Sequence, residues 1–122
     1  MNQLREYDII IWGASGFTGR LVAEYLFNNY GSKNDLKWAI AGRNILKLES
    51  VRKEILNDTV PIIVADINDL KSLNEMVKKT KVICTTVGPY AKYGSNLVAS
   101  CVQNKTHYCD LAGEVQWIRK MI

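Results

Sequence analysis

The sequence predicts an α/β domain built on a doubly wound parallel sheet of strand order 3-2-1-4-5, and three observations carry that expectation. Strand-like and helix-like periods alternate along the whole chain, the strand candidates are short apolar runs, and a glycine-rich turn joins the first strand to the first helix. Strict alternation implies parallel pairing through right-handed crossovers, with helices on both faces of the sheet.

The elements follow in order. Tyr7 to Trp12 is apolar and rich in β-branched residues, as a strand buried on both faces should be. Phe17 to Asn29 then repeats apolar residues at Leu21, Val22, Tyr25 and Leu26, which form one helical stripe. Leu36 to Ala41 reads as a second strand, and Ile45 to Leu56 as a helix with Leu48, Val51, Ile55 and Leu56 inward. Pro61 to Ala65 gives a third strand, and Asp69 to Lys79 a helix with Asp66, Asn68 and Asp69 available as caps. Lys81 to Thr86, Gly94 to Gln103, Thr106 to Cys109 and the stretch from Glu114 onward complete the pattern as strand, helix, strand, helix.

A chain of 122 residues is the size of one domain. A dinucleotide-binding fold usually contains a sixth strand, and a second substrate usually needs more wall than this sheet provides. Residues 1–122 are therefore expected to be one dinucleotide-binding domain, truncated before the second domain of a longer enzyme. With 48% hydrophobic and 23% charged residues, the composition is that of an ordinary globular protein, and no apolar run approaches a membrane span. The N-terminal MNQLREYD carries both charge signs and resembles neither a secretory signal nor a transit peptide, so a cytoplasmic location is the default. Cys84, Cys101 and Cys109 are odd in number and lack C-x-x-C spacing, which fits reduced, mostly structural thiols. The net charge of +4 comes from dispersed Lys and Arg rather than a basic block, which suits an anionic cofactor better than nucleic acid.

The stretch Gly13-Ala14-Ser15-Gly16-Phe17-Thr18-Gly19 follows a strand and opens a helix, where a bound phosphate meets backbone N–H groups and the positive end of a helix dipole. Gly13 permits the sharp exit from the strand, Gly16 the close approach of a pyrophosphate, and Gly19 the packing of helix on sheet. The G-x-x-G-x-x-G spacing is weak evidence alone, and its place at the first strand-to-helix turn strengthens it. At the end of the second strand, where a carboxylate would mark NAD, stands Ala41-Gly42-Arg43-Asn44, with Lys47 a turn further on. Arg43 can fork onto a 2′-phosphate or stack over the adenine, so the expected cofactor is NADP(H) in preference to NAD(H). Ser15 can add a hydroxyl donor to the same phosphate. Asp66 is open to two compatible readings, an acceptor along the adenine edge and a helix cap. Thr85-Thr86-Val87-Gly88-Pro89-Tyr90 ends the fourth strand with small residues that would let a nicotinamide pass, or that simply stop the strand.

Taken together, GASGFTGRLVAEYL, AGRNILKL, VADIND, TTVGPYAKYGSNLVASC and HYCDLAGE resemble the N-terminal part of the saccharopine dehydrogenase-like oxidoreductases. The resemblance covers nearly the whole chain and rests most on the last two motifs. It implies an NAD(P)-binding Rossmann domain followed by a separate substrate and dimerisation domain. By the same likeness Gly13, Ser15, Gly16, Phe17, Thr18 and Gly19 bind the pyrophosphate side, and Arg43 with Lys47 meets the adenosine phosphate. Asp66 then lies near the adenine, and Gly88, Pro89 and Tyr90 border the nicotinamide. The wider family includes saccharopine reductases, enoyl reductases acting in trans in lipid synthesis, and animal oxidoreductases associated with membranes or lipid droplets. The FTGRL and HYCDLAGE versions are closer to the last two, so a lipid-linked substrate and lipid-droplet or membrane association enter by analogy.

His107, Cys109, Asp110 and Glu114 mix ligand types within a short stretch, but no second cluster completes a tetrahedron, and a packed strand end with a cap is the preferred reading. No metal site is expected, and no catalytic residue is assigned, although the resemblance implies that Asp110 and Glu114 help order the substrate cleft. The overall expectation is an NADP(H)-binding domain that holds the nicotinamide for hydride transfer to a substrate bound by a missing domain, inactive by itself. A regulator that senses NADP(H) without catalysis, or a scaffold, would carry the same loop.

Overall fold

A computed structural model describes residues 5–30, 36–86 and 95–110. Five parallel strands are hydrogen-bonded in the order β3-β2-β1-β4-β5. They are β1 (Tyr7–Trp12), β2 (Trp38–Gly42), β3 (Ile62–Val64), β4 (Thr80–Thr85) and β5 (His107–Cys109). The described helices are α1 (Phe17–Tyr30), α2 (Ile45–Ile55), α3 (Leu70–Val77) and α4 (Ser95–Gln103). This is the doubly wound order expected from the alternation of periods, with element ends displaced by a residue or two. The expected helix from Glu114 onward lies outside the described residues.

Two cores, one on each face, explain why the strands read as continuous apolar runs. On one face Ile10, Trp12, Ala39, Ala41 and Ile83 pack with Leu73, Met76 and Val77 of α3 and with Leu97 and Cys101 of α4. On the other, Ile11, Trp38 and Ile40 pack with Ala14, with Ala23 of α1 and with Leu48 and Val51 of α2. Successive residues of β1 and β2 thus point to opposite cores, as the period of two in a strand requires. β2 is buried at every position because it lies between β1 and β3 with helices over both faces.

The inward stripe of α1 differs from the expected one. Leu21 and Tyr25 are 53% and 61% exposed, whereas Gly19 and Ala23 are buried and Val22, Leu26 and Phe27 pack at the edge of the core. The helix lies so close to the glycine turn that only small residues fit beneath it. A Cβ on Gly19 would overlap the Gly13 carbonyl and come within 2.8 Å of Ala14 Cα. For α2 the expected inward set holds, with Leu48, Val51 and Leu56 buried and Ile55 packed against them.

The opposite, amino end of the sheet is tied by one side chain. Arg5 Nη1 donates to the carbonyls of Val77 and Lys78 at 3.0 Å and of Thr80 at 3.3 Å, and to Thr106 Oγ1 at 3.1 Å. Its Nη2 donates to the Asn104 carbonyl at 2.9 Å. The segment entering β1 is thereby fastened to the ends of α3 and α4 and to the starts of β4 and β5.

Candidate functional site

Just beyond the sheet the carboxyl end of β1 is joined to those of β2 and β4. The Gly13 N–H donates to the Ala41 carbonyl at 2.9 Å, and the Thr86 N–H to the Trp12 carbonyl at 3.2 Å. Thr86 Oγ1 lies 3.4 Å from both the Trp12 and Gly13 carbonyl oxygens. Gly13 has φ 86°, in the left-handed region that side chains disfavour, so this glycine turns the chain out of the strand. The Gly16 N–H donates back to the Gly13 carbonyl at 3.0 Å and closes the turn.

The three glycines have different reasons to be glycine. Gly13 needs its φ and Gly19 needs its missing Cβ. At Gly16 a Cβ would only touch the Gly13 carbonyl oxygen at 3.5 Å, an ordinary contact. Nothing within the described fold requires glycine at position 16, which is exposed at the start of the helix.

The start of α1 is also electrostatically open. The Gly16 carbonyl accepts the first helical N–H, that of Arg20, at 2.9 Å, which leaves the N–H groups of Phe17, Thr18 and Gly19 without helical acceptors. In α2 the Asn44 side chain accepts from the Lys47 N–H at 3.2 Å, and in α3 the Asp69 side chain accepts from the Ser72 N–H at 3.3 Å. Among the described residues no side chain closes α1 in the same way. Its partial positive charge faces outward, as an anion seat requires.

Beside this turn lies a cleft of about 320 Å³. Trp12, Gly13 and Ser15 form its wall on the β1 side, Gly42, Arg43, Asn44 and Lys47 form the wall at the β2–α2 junction, and Ile67 and Asn68 close it beyond β3. Arg43 and Lys47 bring two cations to the cleft, and among the described residues no carboxylate lines it. Arg43 is exposed and forms no ion pair among the described residues. The chemistry of this donor set fits a phosphorylated nucleotide: two cations, a serine hydroxyl, open helix N–H groups, and an indole and an isoleucine beside them.

Of the residues singled out from the sequence, Gly13, Ser15, Arg43 and Lys47 line the cleft. Ala14 is buried beneath it, Gly16 and Phe17 are exposed at the turn, Thr18 is half-buried, and Gly19 is packed against the turn. Asp66 immediately precedes the Ile67–Asn68 wall, and its Oδ1 accepts the Asn68 N–H at 2.8 Å. The capping of α3 falls to Asp69, so Asp66 shapes the turn rather than the helix start. Gly88, Pro89 and Tyr90 lie outside the described residues, as does Glu114. Trp12, Asn44, Ile67 and Asn68 were not singled out as site residues. The capping preference of asparagine after Arg43 was the one signal that could have placed Asn44 there.

Asp110 accepts a hydrogen bond from the Tyr108 hydroxyl at 2.6 Å. Burial, followed by the neighbouring Cys109 and Asp110, pushes the Cys84 thiol up to about 12, and burial alone pushes Cys101 to about 12. Among the described residues no group of three His, Cys, Asp or Glu side chains is placed to hold a metal ion, and no helix is long and apolar enough to cross a membrane.

Comparison with known proteins bears on the fold and the family. A worm protein named "Lipid droplet localized protein", from Caenorhabditis elegans, is 41% identical over 124 residues, covering 97% of this chain and 29% of the relative. The trans-acting enoyl reductase of Mycobacterium leprae is 41% identical over 120 residues, covering 97% of this chain and 28% of the relative. The chain thus spans under a third of the length of these relatives. Among solved structures, the apo saccharopine dehydrogenase (L-Glu forming) of Saccharomyces cerevisiae superimposes with a TM-score of 0.74 over 94% of this chain and 24% of that one. At 18% identity this match speaks for the fold alone. The family model described as the saccharopine dehydrogenase NADP binding domain matches residues 9–121, and the chain therefore belongs to that family of NADP-binding domains.

Proposed function

We propose that this domain seats NADP(H) across the carboxyl edge of the sheet, with the phosphorylated adenosine in the cleft beside Arg43 and the pyrophosphate at the start of α1. The observation that carries the reading is the cationic cleft, without a carboxylate among the described residues, set against a helix start that no described side chain caps. Arg43 and Lys47 hold the adenosine phosphate, with Ser15 contributing its hydroxyl. Gly13 and Gly16 keep the turn clear of side chains so that the N–H groups of Phe17, Thr18 and Gly19 face the pyrophosphate. Asp66 lies toward the adenine. Gly88, Pro89 and Tyr90 flank the nicotinamide half, which runs past the end of β4.

The cofactor supplies hydride chemistry, and the protein supplies its placement. In the full-length protein a further domain presents the substrate, while the present segment binds cofactor without turnover. A lipid-linked substrate and a lipid-droplet location are proposed because relatives at about two-fifths identity carry the names of an enoyl reductase and a lipid-droplet protein. Calorimetric titration with NADPH and NADH tests the site. The 122-residue chain should bind NADPH more tightly, and Arg43→Ala should weaken NADPH by about tenfold, the low end for a charged hydrogen bond at an exposed site. Tighter NADH binding, or unchanged NADPH affinity in Arg43→Ala, overturns the assignment. Consumption of NADPH by the full-length protein in the presence of long-chain enoyl esters tests the substrate class, and NADPH binding without any turnover would favour a sensing role.

A further inference from the structure

The sheet holds a pair of thiols that the cofactor site does not use. Cys84 ends its core-facing run in β4, and Cys109 is its register partner in the parallel strand β5. Partners in adjacent strands stand about 4.8 Å apart between Cα atoms, inside the range of about 4.4–6.8 Å that a disulfide spans. Both side chains lie on the same face. Cys84 packs with the cluster that holds Ile11, whereas Tyr108, next to Cys109, packs with the opposite cluster. Cys109 is near enough to Cys84 to help push its thiol up.

We propose that Cys84 and Cys109 form a reversible cross-strand disulfide, making this corner of the sheet a thiol-modification site for small disulfide oxidants of the glutathione type. Access and yield differ usefully between the partners. Cys109 is exposed on a three-residue strand at the edge of the sheet, so it meets the oxidant first and has room to move toward Cys84. The Cys109 thiolate attacks one sulfur of glutathione disulfide, breaks its S–S bond, and releases one glutathione thiolate. Cys84 then gives its proton to solvent and attacks the Cys109 sulfur, displacing the second glutathione. Two electrons pass from the two protein thiols, and one glutathione disulfide becomes two glutathione thiols. Burial of Cys84 makes the second step the slower one, so the mixed disulfide precedes the closed form. Cys101, buried on the opposite face, serves as an internal control.

The site is remote from an ordinary surface nick. Cys84 pairs with Ile11 on its other side, and the chain two residues on, at Thr86, bonds the Trp12 and Gly13 carbonyls. A closed bond therefore pins the edge strand to the strand that supports the glycine turn.

The test is to expose the native 122-residue protein to glutathione disulfide, quench with acid, and digest without reduction for mass spectrometry. The proposal expects a product lighter by two hydrogens, a peptide joined through Cys84 and Cys109, free Cys101, and full reversal by dithiothreitol. Cys84→Ser should stop at a stable glutathione adduct on Cys109, and Cys109→Ser should stay reduced. A wild-type protein that accumulates the Cys109 adduct without closing, or that links into dimers through Cys109, overturns the proposal. Should Cys84→Ser fail to fold, the wild-type linkage decides alone.

Discussion

Alanine at Gly16 and alanine at Gly19 should separate binding from folding within one seven-residue turn. At Gly19 the added Cβ would overlap the Gly13 carbonyl and crowd Ala14 Cα, both of them backbone atoms that cannot rotate away. Overpacking of this kind costs about 1–3 kcal/mol, while replacing a helical glycine by alanine returns about 1 kcal/mol of helix propensity. Because the overlap is with backbone, the upper part of that range applies and a net loss of about 2 kcal/mol is expected, a fall in Tm of about 8 °C for a domain of this size. At Gly16 the Cβ meets only the Gly13 oxygen at 3.5 Å, so stability should change by no more than about 0.5 kcal/mol. The same methyl would stand where the pyrophosphate approaches the N–H groups of α1. Loss of one charge-assisted hydrogen bond, about 1.5–3 kcal/mol, corresponds to roughly a 10- to 150-fold weaker NADPH affinity. Differential scanning calorimetry and NADPH titration of both variants measure the two effects. A Gly16→Ala protein that loses Tm like Gly19→Ala, or that binds NADPH as wild type does, would refute the reasoning.

Two further outcomes concern the opposite end of the sheet. Arg5→Ala should destabilise the domain by about 2 kcal/mol, because it removes a guanidinium shared among four carbonyls and the Thr106 hydroxyl, and Arg5→Lys should not restore the loss, since an ammonium lacks the planar fork; urea midpoints check both. Asp8 is held below its ordinary carboxylate range by the Lys37 N–H and then by the Lys81 side chain. Its contribution is present above the unfolded-state value and is lost as pH falls through the lower folded value, so the difference in stability between wild type and Asp8→Asn should shrink on acidification below about pH 4. A difference that grows in acid would contradict that assignment.

The sheet order was legible because the central strands β1 and β2 carry short apolar runs packed between helices on both faces, and the edge strands β3 and β5, though partly exposed, keep their place in the alternation. Helix α2 was legible for a related reason, since its large inward residues Leu48, Val51 and Leu56 dominate its period. The inward stripe of α1 is not legible in the sequence because its contact with the sheet is made by Gly19 and Ala23, which add little to an apolar pattern, while exposed Leu21 and Tyr25 add much. The cleft was legible where residue chemistry is distinctive, at Ser15, Arg43 and Lys47. It was illegible where residues enter by position alone. Trp12 looked like core and is in fact both buried and part of the cleft wall, and Asn68 reaches the cleft only because the Asp66 turn carries it there. The pairing of Cys84 with Cys109 is a long-range register that no local spacing could reveal.

If the phosphorylated adenosine and pyrophosphate lie between the glycine turn and Arg43, backbone amide chemical shifts during NADPH titration should locate them there. The largest changes should fall on the amides of Ser15 through Gly19 and of Arg43 and Asn44, with the Arg43 and Lys47 changes much reduced when NADH replaces NADPH. Shifts concentrated at the amino end of the sheet, around Tyr7, Trp38 and Val60, would contradict that placement.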